Sequence, residues 1–166
     1  MNITLIGMPG VGKSTIGKYL AKVLNFIFFD SDEIIETNAR MSLHEIINTY
    51  GEKELLDLEK KAIFNLESTK EHVICPGGSV VYSPEAMSFL KNKSKLIFLD
   101  AKMEAIKARI PNISKRGIIG LTDMSWEALY AQRLPLYEKY ADIKISISND
   151  LSIDQIVTEI IKAISN

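Results

Sequence analysis

Gly7-Met8-Pro9-Gly10-Val11-Gly12-Lys13-Ser14-Thr15 decides how the rest of the chain is read. The stretch fits G-x-x-x-x-G-K-[ST], the phosphate-binding loop. Upstream, Asn2-Ile3-Thr4-Leu5-Ile6 is a short β-branched run of the kind that forms a buried strand. Downstream, Ile16, Tyr19, Leu20, Val23 and Leu24 recur at helical spacing, so residues 13–24 are expected to form a helix with those five on its apolar face. Strand, glycine-rich loop and helix together let successive backbone N–H groups curl round a phosphate at a helix N-terminus. In that setting Gly10, Val11, Gly12, Lys13, Ser14 and Thr15 form the nucleotide site, with Lys13 reaching the β- and γ-phosphates and the Ser14 hydroxyl on Mg²⁺. The chain is read as a nucleotide-binding protein.

Composition sets the limits of that reading. A chain of 166 residues suits one domain, and 46% hydrophobic with 25% charged residues is ordinary for a globule. A net charge of −1 provides no general field for nucleic acid or acidic membranes, so phosphate recognition is local. The lone Cys75 forms no internal disulfide and, within an apolar run, reads as a small buried hydrophobe in a reducing compartment. No stretch approaches the roughly 20 apolar residues of a membrane span. The apolar start runs directly into the loop, so no targeting segment is expected, and a cytoplasmic monomer is the simplest expectation.

Further along, strands alternate with helices. Residues 26–29 read as a second strand ending at Asp30-Ser31-Asp32, carboxylates placed where open α/β sheets bind ligands. Ser31 or Asp32 would alternatively cap a helix over residues 33–37. Ser42-Leu43-His44-Glu45 is a capping box for a helix to Tyr50, Gly51 breaks it, and a helix over residues 52–69 follows with Leu55, Leu58, Ala62 and Leu66 facing the core. His44 and His72 lack a second ligand at metal spacing and read as surface or strand-edge residues. Residues 72–75 form a third strand, stopped by Pro76-Gly77-Gly78-Ser79, where the glycines make a turn or offer bare backbone N–H groups to a second ligand. Ser83-Pro84 opens another helix. A fourth strand over 95–99 and a helix over 102–110 lead to residues 111–123, an irregular basic segment around Lys115-Arg116 expected to be a mobile lid, open without ligand. The helical pattern of 129–140 is interrupted by Pro135, Ile143, Ile145 and Ile147 mark a half-exposed fifth strand, and Ser152 caps a final amphipathic helix. Five alternations imply a parallel sheet covered on both faces, a three-layer α/β/α architecture. A GTPase is set aside because Asn92-Lys93-Ser94-Lys95 lacks the aspartate of N-K-x-D and precedes its strand. Phosphate loop, acidic pair, glycine turn and basic lid suit a phosphoryl transferase, whose catalysis is mostly alignment and charge neutralisation.

Along nearly its whole length the chain resembles the shikimate kinase family. The resemblance rests on the loop at Gly7–Thr15, Asp30-Ser31-Asp32, Gly51-Glu52 followed by Glu59, Gly77-Gly78, Arg109 and Arg116, and Arg133-Leu134-Pro135-Leu136-Tyr137 before Ala141-Asp142. It implies a P-loop kinase related to the nucleoside monophosphate kinases, with a five-stranded parallel sheet in the order 2-3-1-4-5. It further implies one domain over 1–166, with a substrate-binding segment near 31–60 and a lid near 111–123. The implied activity is ATP-dependent phosphorylation of shikimate with Mg²⁺, in aromatic amino-acid synthesis. Carried over residue by residue, Lys13 and Ser14 hold phosphates and metal, Asp30 assists the metal, and Asp32 orients or deprotonates the acceptor hydroxyl. Gly77 and Gly78 meet the acceptor, Arg133 binds its carboxylate, Arg116 reaches the transferring phosphate and Arg109 lies against adenine. Three positions depart from the family pattern: Leu56 stands for a second carboxylate-binding arginine, Ser79 for a third glycine, and Gly117, expected to loosen the lid, for a proline. Leu56 opens an alternative in which a related enzyme uses another small hydroxylated acceptor. Arg40, in the neighbouring helix-entry turn where the family more often has glycine, is the candidate to fill in. A non-catalytic ATP-binding module is the reading from a different class.

Overall fold

The computed structural model describes residues 1–66, 70–110, 112–113 and 116–165. Five strands, β1 (Asn2–Ile6), β2 (Ile27–Asp30), β3 (His72–Cys75), β4 (Ser94–Ala101) and β5 (Ile143–Ile147), form one sheet in the order β2-β3-β1-β4-β5. Every pairing is parallel, so all the strands end on one edge. Position in the sheet follows side-chain pattern. The wholly buried run of β1 occupies the centre, and the alternating Ile143, Lys144, Ile145 of β5 lies at one margin. At the other margin β2 leaves Ile27 61% exposed.

Eight helices are described: α1 (Lys13–Leu24), α2 (Ser31–Ala39), α3 (Leu43–Tyr50), α4 (Glu52–Phe64), α5 (Pro84–Lys93), α6 (Met103–Arg109), α7 (Trp126–Tyr140) and α8 (Ile153–Ser165). The Ser42–Glu45 capping box opens α3, and Ser83 with Pro84 opens α5, both as their residue types require. The α1 face differs from expectation. Ile16, Gly17, Leu20 and Ala21 are buried, whereas Tyr19 and Val23 are exposed, and the Tyr19 hydroxyl donates to Asp154 of α8. Neighbouring positions let the helix turn a small Gly17–Ala21 stripe toward the sheet. A Cβ on Gly17 would stand 2.5 Å from Cys75 Sγ. Cys75 itself is buried, and burial raises its thiol pKa. Helix α2 begins two residues earlier than expected because Asp30, rather than Ser31 or Asp32, is its cap. The expected continuation of α4 to Thr69 falls partly on residues 67–69, outside the described ones; the helix ends at Phe64. Pro135 does not interrupt α7, which runs through it to Tyr140.

Two apolar clusters result. The larger lies on both faces of the sheet, and the smaller gathers Ile35, Leu43, Ile46, Leu55 and Ala62 of α2–α4 with Ile119. That smaller cluster gives the 31–64 region its own footing beside the carboxyl edge, where a cleft opens.

Candidate functional site

The cleft has a volume of about 510 Å³ and is walled by the loops after β1, β2 and β3, the start of α3, and the segment before α7. Since the first three strands are parallel neighbours, their C-terminal loops stand side by side, the usual ligand position of an open α/β sheet.

The first wall is the phosphate loop. Lys13 turns back over it, its Nζ donating to the carbonyls of Gly7 at 2.8 Å and Met8 at 3.1 Å. Burial lowers the Lys13 pKa, opposed by the charge of Asp32. The Ser14 hydroxyl donates to Oδ2 of Asp30 at 2.6 Å. Asp30 Oδ1 meanwhile accepts the N–H groups of Asp32 at 3.0 Å and Glu33 at 3.4 Å, capping α2. One buried carboxylate therefore serves both the helix and the loop.

Asp32 follows on the first turn of α2 and faces the same cleft. Its pKa is pushed up to about 6, chiefly by desolvation and then by the neighbouring Asp30 charge, with Lys13 opposing. Across the glycine turn stands Glu59 of α4, buried, with its pKa raised to about 8 by desolvation and by Asp32. The Ser79 hydroxyl lies 2.5 and 2.6 Å from the two Glu59 carboxyl oxygens.

The glycine pair is shaped by these neighbours. A Cβ on Gly77 would run into Glu59 Oε1 and stand 2.9 Å from Asp32 Oδ1. One on Gly78 would stand 2.8 Å from the Pro9 ring and 2.9 Å from Arg133 Nη1. No side chain fits where these loops converge. The expected pair of bare donors is only half present: the Gly77 N–H donates to Ser31 Oγ at 2.9 Å, while Gly78 N–H has no partner among the described residues.

Arg133 enters from α7 and is buried, donating from Nε to the Tyr82 hydroxyl at 3.2 Å and from Nη2 to the Ile119 carbonyl at 2.8 Å. Its guanidinium carbon lies 5.0 Å from the centre of the Tyr82 ring. One helical turn on, the Tyr137 hydroxyl donates to the Gly78 carbonyl at 2.6 Å. The i, i+4 spacing in Arg133-Leu134-Pro135-Leu136-Tyr137 thus lets one helix face hold the glycine turn and reach the cleft. Arg109, on the nucleotide side, donates to Val11 O at 3.4 Å and Asn149 Oδ1 at 2.7 Å. It borders both the main cleft and an adjoining pocket of about 210 Å³ lined by Val11, Ile147, Leu151 and Ile156.

The described part of the expected lid, residues 116–123, lies against the core rather than standing off it. Of residues 111–123, Pro111, Ser114 and Lys115 lie outside the described residues; Ile118 and Ile119 are buried, and Glu52 Oε1 accepts from the Gly120 N–H at 2.7 Å and the Thr122 hydroxyl at 2.8 Å. Arg116 is exposed but borders the cleft, with no side-chain partner among the described residues. Gly117 is the reason the lid sits down. Its φ is +61°, and a Cβ there would fall 2.5 Å from the Leu43 carbonyl carbon and against the His44 N–H. The expected loosening is therefore corrected: glycine permits close docking on the start of α3, where proline, fixed near −65°, cannot fit.

Sequence reasoning gave Ser79, Tyr82 and Ser31 no part in the site, and it placed His44 on the surface although it borders the cleft. A serine directly after Gly-Gly, opposite a buried glutamate, was the available signal for Ser79. Leu56 is absent from the cleft wall and packs against the smaller apolar cluster, and Arg40 is an exposed residue that ends α2 and is also absent from the wall. Neither supplies a second cation.

A phosphate loop, a carboxylate pair and docked basic side chains at the carboxyl edge of a 2-3-1-4-5 sheet define a P-loop small-molecule kinase. Residues 9–165 match the family model described as Shikimate kinase. Relatives named shikimate kinase include one from Caldanaerobacter subterraneus, 36% identical over 98% of this chain and 95% of that protein, and one from Rippkaea orientalis, 37% identical over 99% and 88%. Among solved structures, the shikimate kinase of Acinetobacter baumannii in complex with shikimate superposes with a TM-score of 0.87 at 27% identity, over 99% of this chain and 92% of that one. That of Aquifex aeolicus gives 0.85 at 29%, over 99% and 96%. The chain belongs to the shikimate kinase family.

Proposed function

We propose that this protein transfers the γ-phosphoryl group of ATP to a hydroxyl of shikimate, giving shikimate 3-phosphate and ADP for aromatic amino-acid synthesis. The observation that carries the reading is that Lys13, Asp32 and Arg133, from three separate elements, border one cleft. Family membership supports the acceptor, since a relative of known structure is described in complex with shikimate.

The roles follow from charge and reach. The loop N–H groups and Lys13 bind the phosphates, and Arg109 borders the apolar pocket suited to adenine. Arg133 pairs with the acceptor carboxylate. Asp32 accepts the acceptor's hydroxyl hydrogen as its oxygen bonds to phosphorus and the bond to the ADP oxygen breaks. The proton ends on Asp32. Gly78 offers the acceptor its N–H, and Gly77 offers a close approach without a Cβ. Arg116 meets the charge spread over the transferring group.

Ser14 and Asp30 fit Mg²⁺, because they present a hydroxyl and a carboxylate oxygen 2.6 Å apart at the loop. That ion is characteristically held by one or two protein oxygens, waters and substrate phosphates. When bound it neutralises charge on the β- and γ-phosphates. A single domain acting as a monomer in the cytoplasm completes the reading; no described helix is long and apolar enough to cross a membrane.

Coupled ADP release, assayed with shikimate, its analogues and small polyols, tests the proposal. ADP should form only when shikimate is present, and Lys13→Met should abolish it without unfolding the protein. Turnover with a polyol and none with shikimate would transfer the reading to another acceptor. ADP formed without any acceptor would overturn it.

A further inference from the structure

Glu59 is a buried carboxyl group in an unusual position. Among the described residues it has no ion-pair partner, and its side-chain hydrogen bonding goes to Ser79, whose hydroxyl spans both carboxyl oxygens at 2.5 and 2.6 Å. On its own helix the residue one turn back is Leu56, which is apolar. The charged groups acting on it from other elements are Asp32 of α2, Arg133 of α7 and Lys13 of α1. Its Oε1 and the Oδ1 of Asp32 converge on the same space over Gly77. The hydroxyl of Ser79 is thus what settles where the second carboxyl of the cleft stands.

We propose that Ser79 is a positioning residue for the acceptor end of the cleft: acting through Glu59, it fixes a carboxyl group beside Asp32 against which the acceptor's hydroxyls are oriented. The proposal rests on the shikimate-phosphorylation reading for its kinetic consequences, but not for the Ser79–Glu59 link itself. Ser79 is almost wholly buried where it borders the cleft, and its hydroxyl is turned onto the Glu59 carboxyl group. Its loss should therefore act on acceptor binding and spare the nucleotide.

Charge gives the link a second consequence. Burial holds Glu59 near pKa 8, far above its ordinary 4.5. Between those values the folded protein keeps a proton that the unfolded chain releases, so folding stability falls as pH rises through that window and levels off above it. The bond donated by Ser79 favours the ionised form. Without it the Glu59 pKa climbs further, and the decline in stability extends to higher pH.

The test has two arms. Initial rates on Ser79→Ala should show KM for shikimate raised roughly three- to tenfold, the effect of one hydrogen bond, with KM for ATP and kcat changed less than about twofold, and Ser79→Thr should restore most of the loss. In a Glu59→Ala background the same Ser79→Ala change should move KM for shikimate by less than about twofold, since coupled residues are non-additive. In the second arm, the thermal midpoint is followed from pH 5 to 10 without substrate. Ser79→Ala should lengthen the decline above about pH 6, where Asp32 no longer contributes, and Glu59→Gln should abolish both that part of the decline and the effect of Ser79→Ala. Ser79→Gly is the second hydroxyl-free variant if alanine fails to fold. Equal rises in both KM values, or an equal Ser79→Ala effect in the Glu59→Ala background, would overturn the positioning role. An unaltered midpoint profile would overturn the link. Should the natural protein fail to phosphorylate shikimate, the functional reading falls, while the midpoint arm still decides whether Ser79 governs Glu59.

Discussion

Ser14 and Asp30 are joined by a 2.6 Å hydrogen bond that ties the phosphate loop to the end of β2. The same aspartate caps α2 through its other oxygen. The observed capping role and the proposed metal-directed role thus fall on one carboxylate, and asparagine separates them. Asp30→Asn keeps an acceptor for the α2 cap, whose full loss would cost about 1 kcal/mol, but removes the anion. The thermal midpoint should change little, while the Mg²⁺ concentration for half-maximal activity rises several-fold. An unchanged Mg²⁺ requirement would confine Asp30 to capping.

The raised pKa of Asp32, about 6, places its titration inside the working pH range. If its ionised form takes or orients the acceptor hydroxyl, kcat/KM for shikimate should climb as pH rises through about 6, in the direction of proton loss. Asp32→Asn should flatten that limb and lower kcat by 10²–10⁴-fold, the usual contribution of a general base. ATP affinity should be little affected. A variant with normal kcat and collapsed ATP affinity would assign Asp32 to the nucleotide instead.

The fold was legible because its signals are local. Alternating apolar runs and helix caps such as Ser42, Ser83 and Pro84 act within a few residues, and the phosphate loop fixes the central strand. The failures were those of contact. Tyr19 and Val23 match a helical stripe but face outward, because the sheet accepts the thinner Gly17–Ala21 side. Nothing short-range announces that Asp30 rather than Ser31 caps α2, or that Ser31 takes the Gly77 N–H. Gly117 read as slack in the chain, and its meaning emerged only with the backbone of Leu43 and His44 beside it. Residues named one by one for the cleft were legible; the bonds among them were not.

Gly117 gives the lid prediction. Its positive φ costs any other residue about 1–2 kcal/mol, and the crowding against α3 adds to that. Gly117→Ala should lift the segment off Leu43 and His44, lowering kcat and raising KM for shikimate by several-fold while leaving the global unfolding midpoint nearly unchanged. Protease susceptibility near Arg116 should increase. Arg116→Ala, by contrast, should lower kcat alone, since its side chain has no partner among the described residues to lose. If Gly117→Ala proves kinetically silent, docking of this segment is not required for turnover.

Leu56 bears most directly on the acceptor. It packs against the cluster of Ile35, Leu43, Ile46, Leu55, Ala62 and Ile119 and contributes nothing to the cleft wall. Arg40 is exposed at the end of α2 and does not line the cleft, so it does not compensate. Of the cations that do line it, the proposed mechanism gives Lys13, Arg109 and Arg116 to the nucleotide, which leaves Arg133 for the acceptor carboxylate. A hydrogen bond to a charged group contributes about 1.5–3 kcal/mol, so a second guanidinium should tighten binding roughly ten- to a hundredfold. Leu56→Arg should therefore lower KM for shikimate, with ATP affinity unchanged. It should also lower the thermal midpoint by a few degrees, because the guanidinium replaces an apolar contact. Isothermal titration of shikimate into both proteins measures the first effect without turnover. Tight binding by the natural protein, weakened by Leu56→Arg, would mean that Arg133, held between Tyr82 and the Ile119 carbonyl, already suffices as the whole clamp.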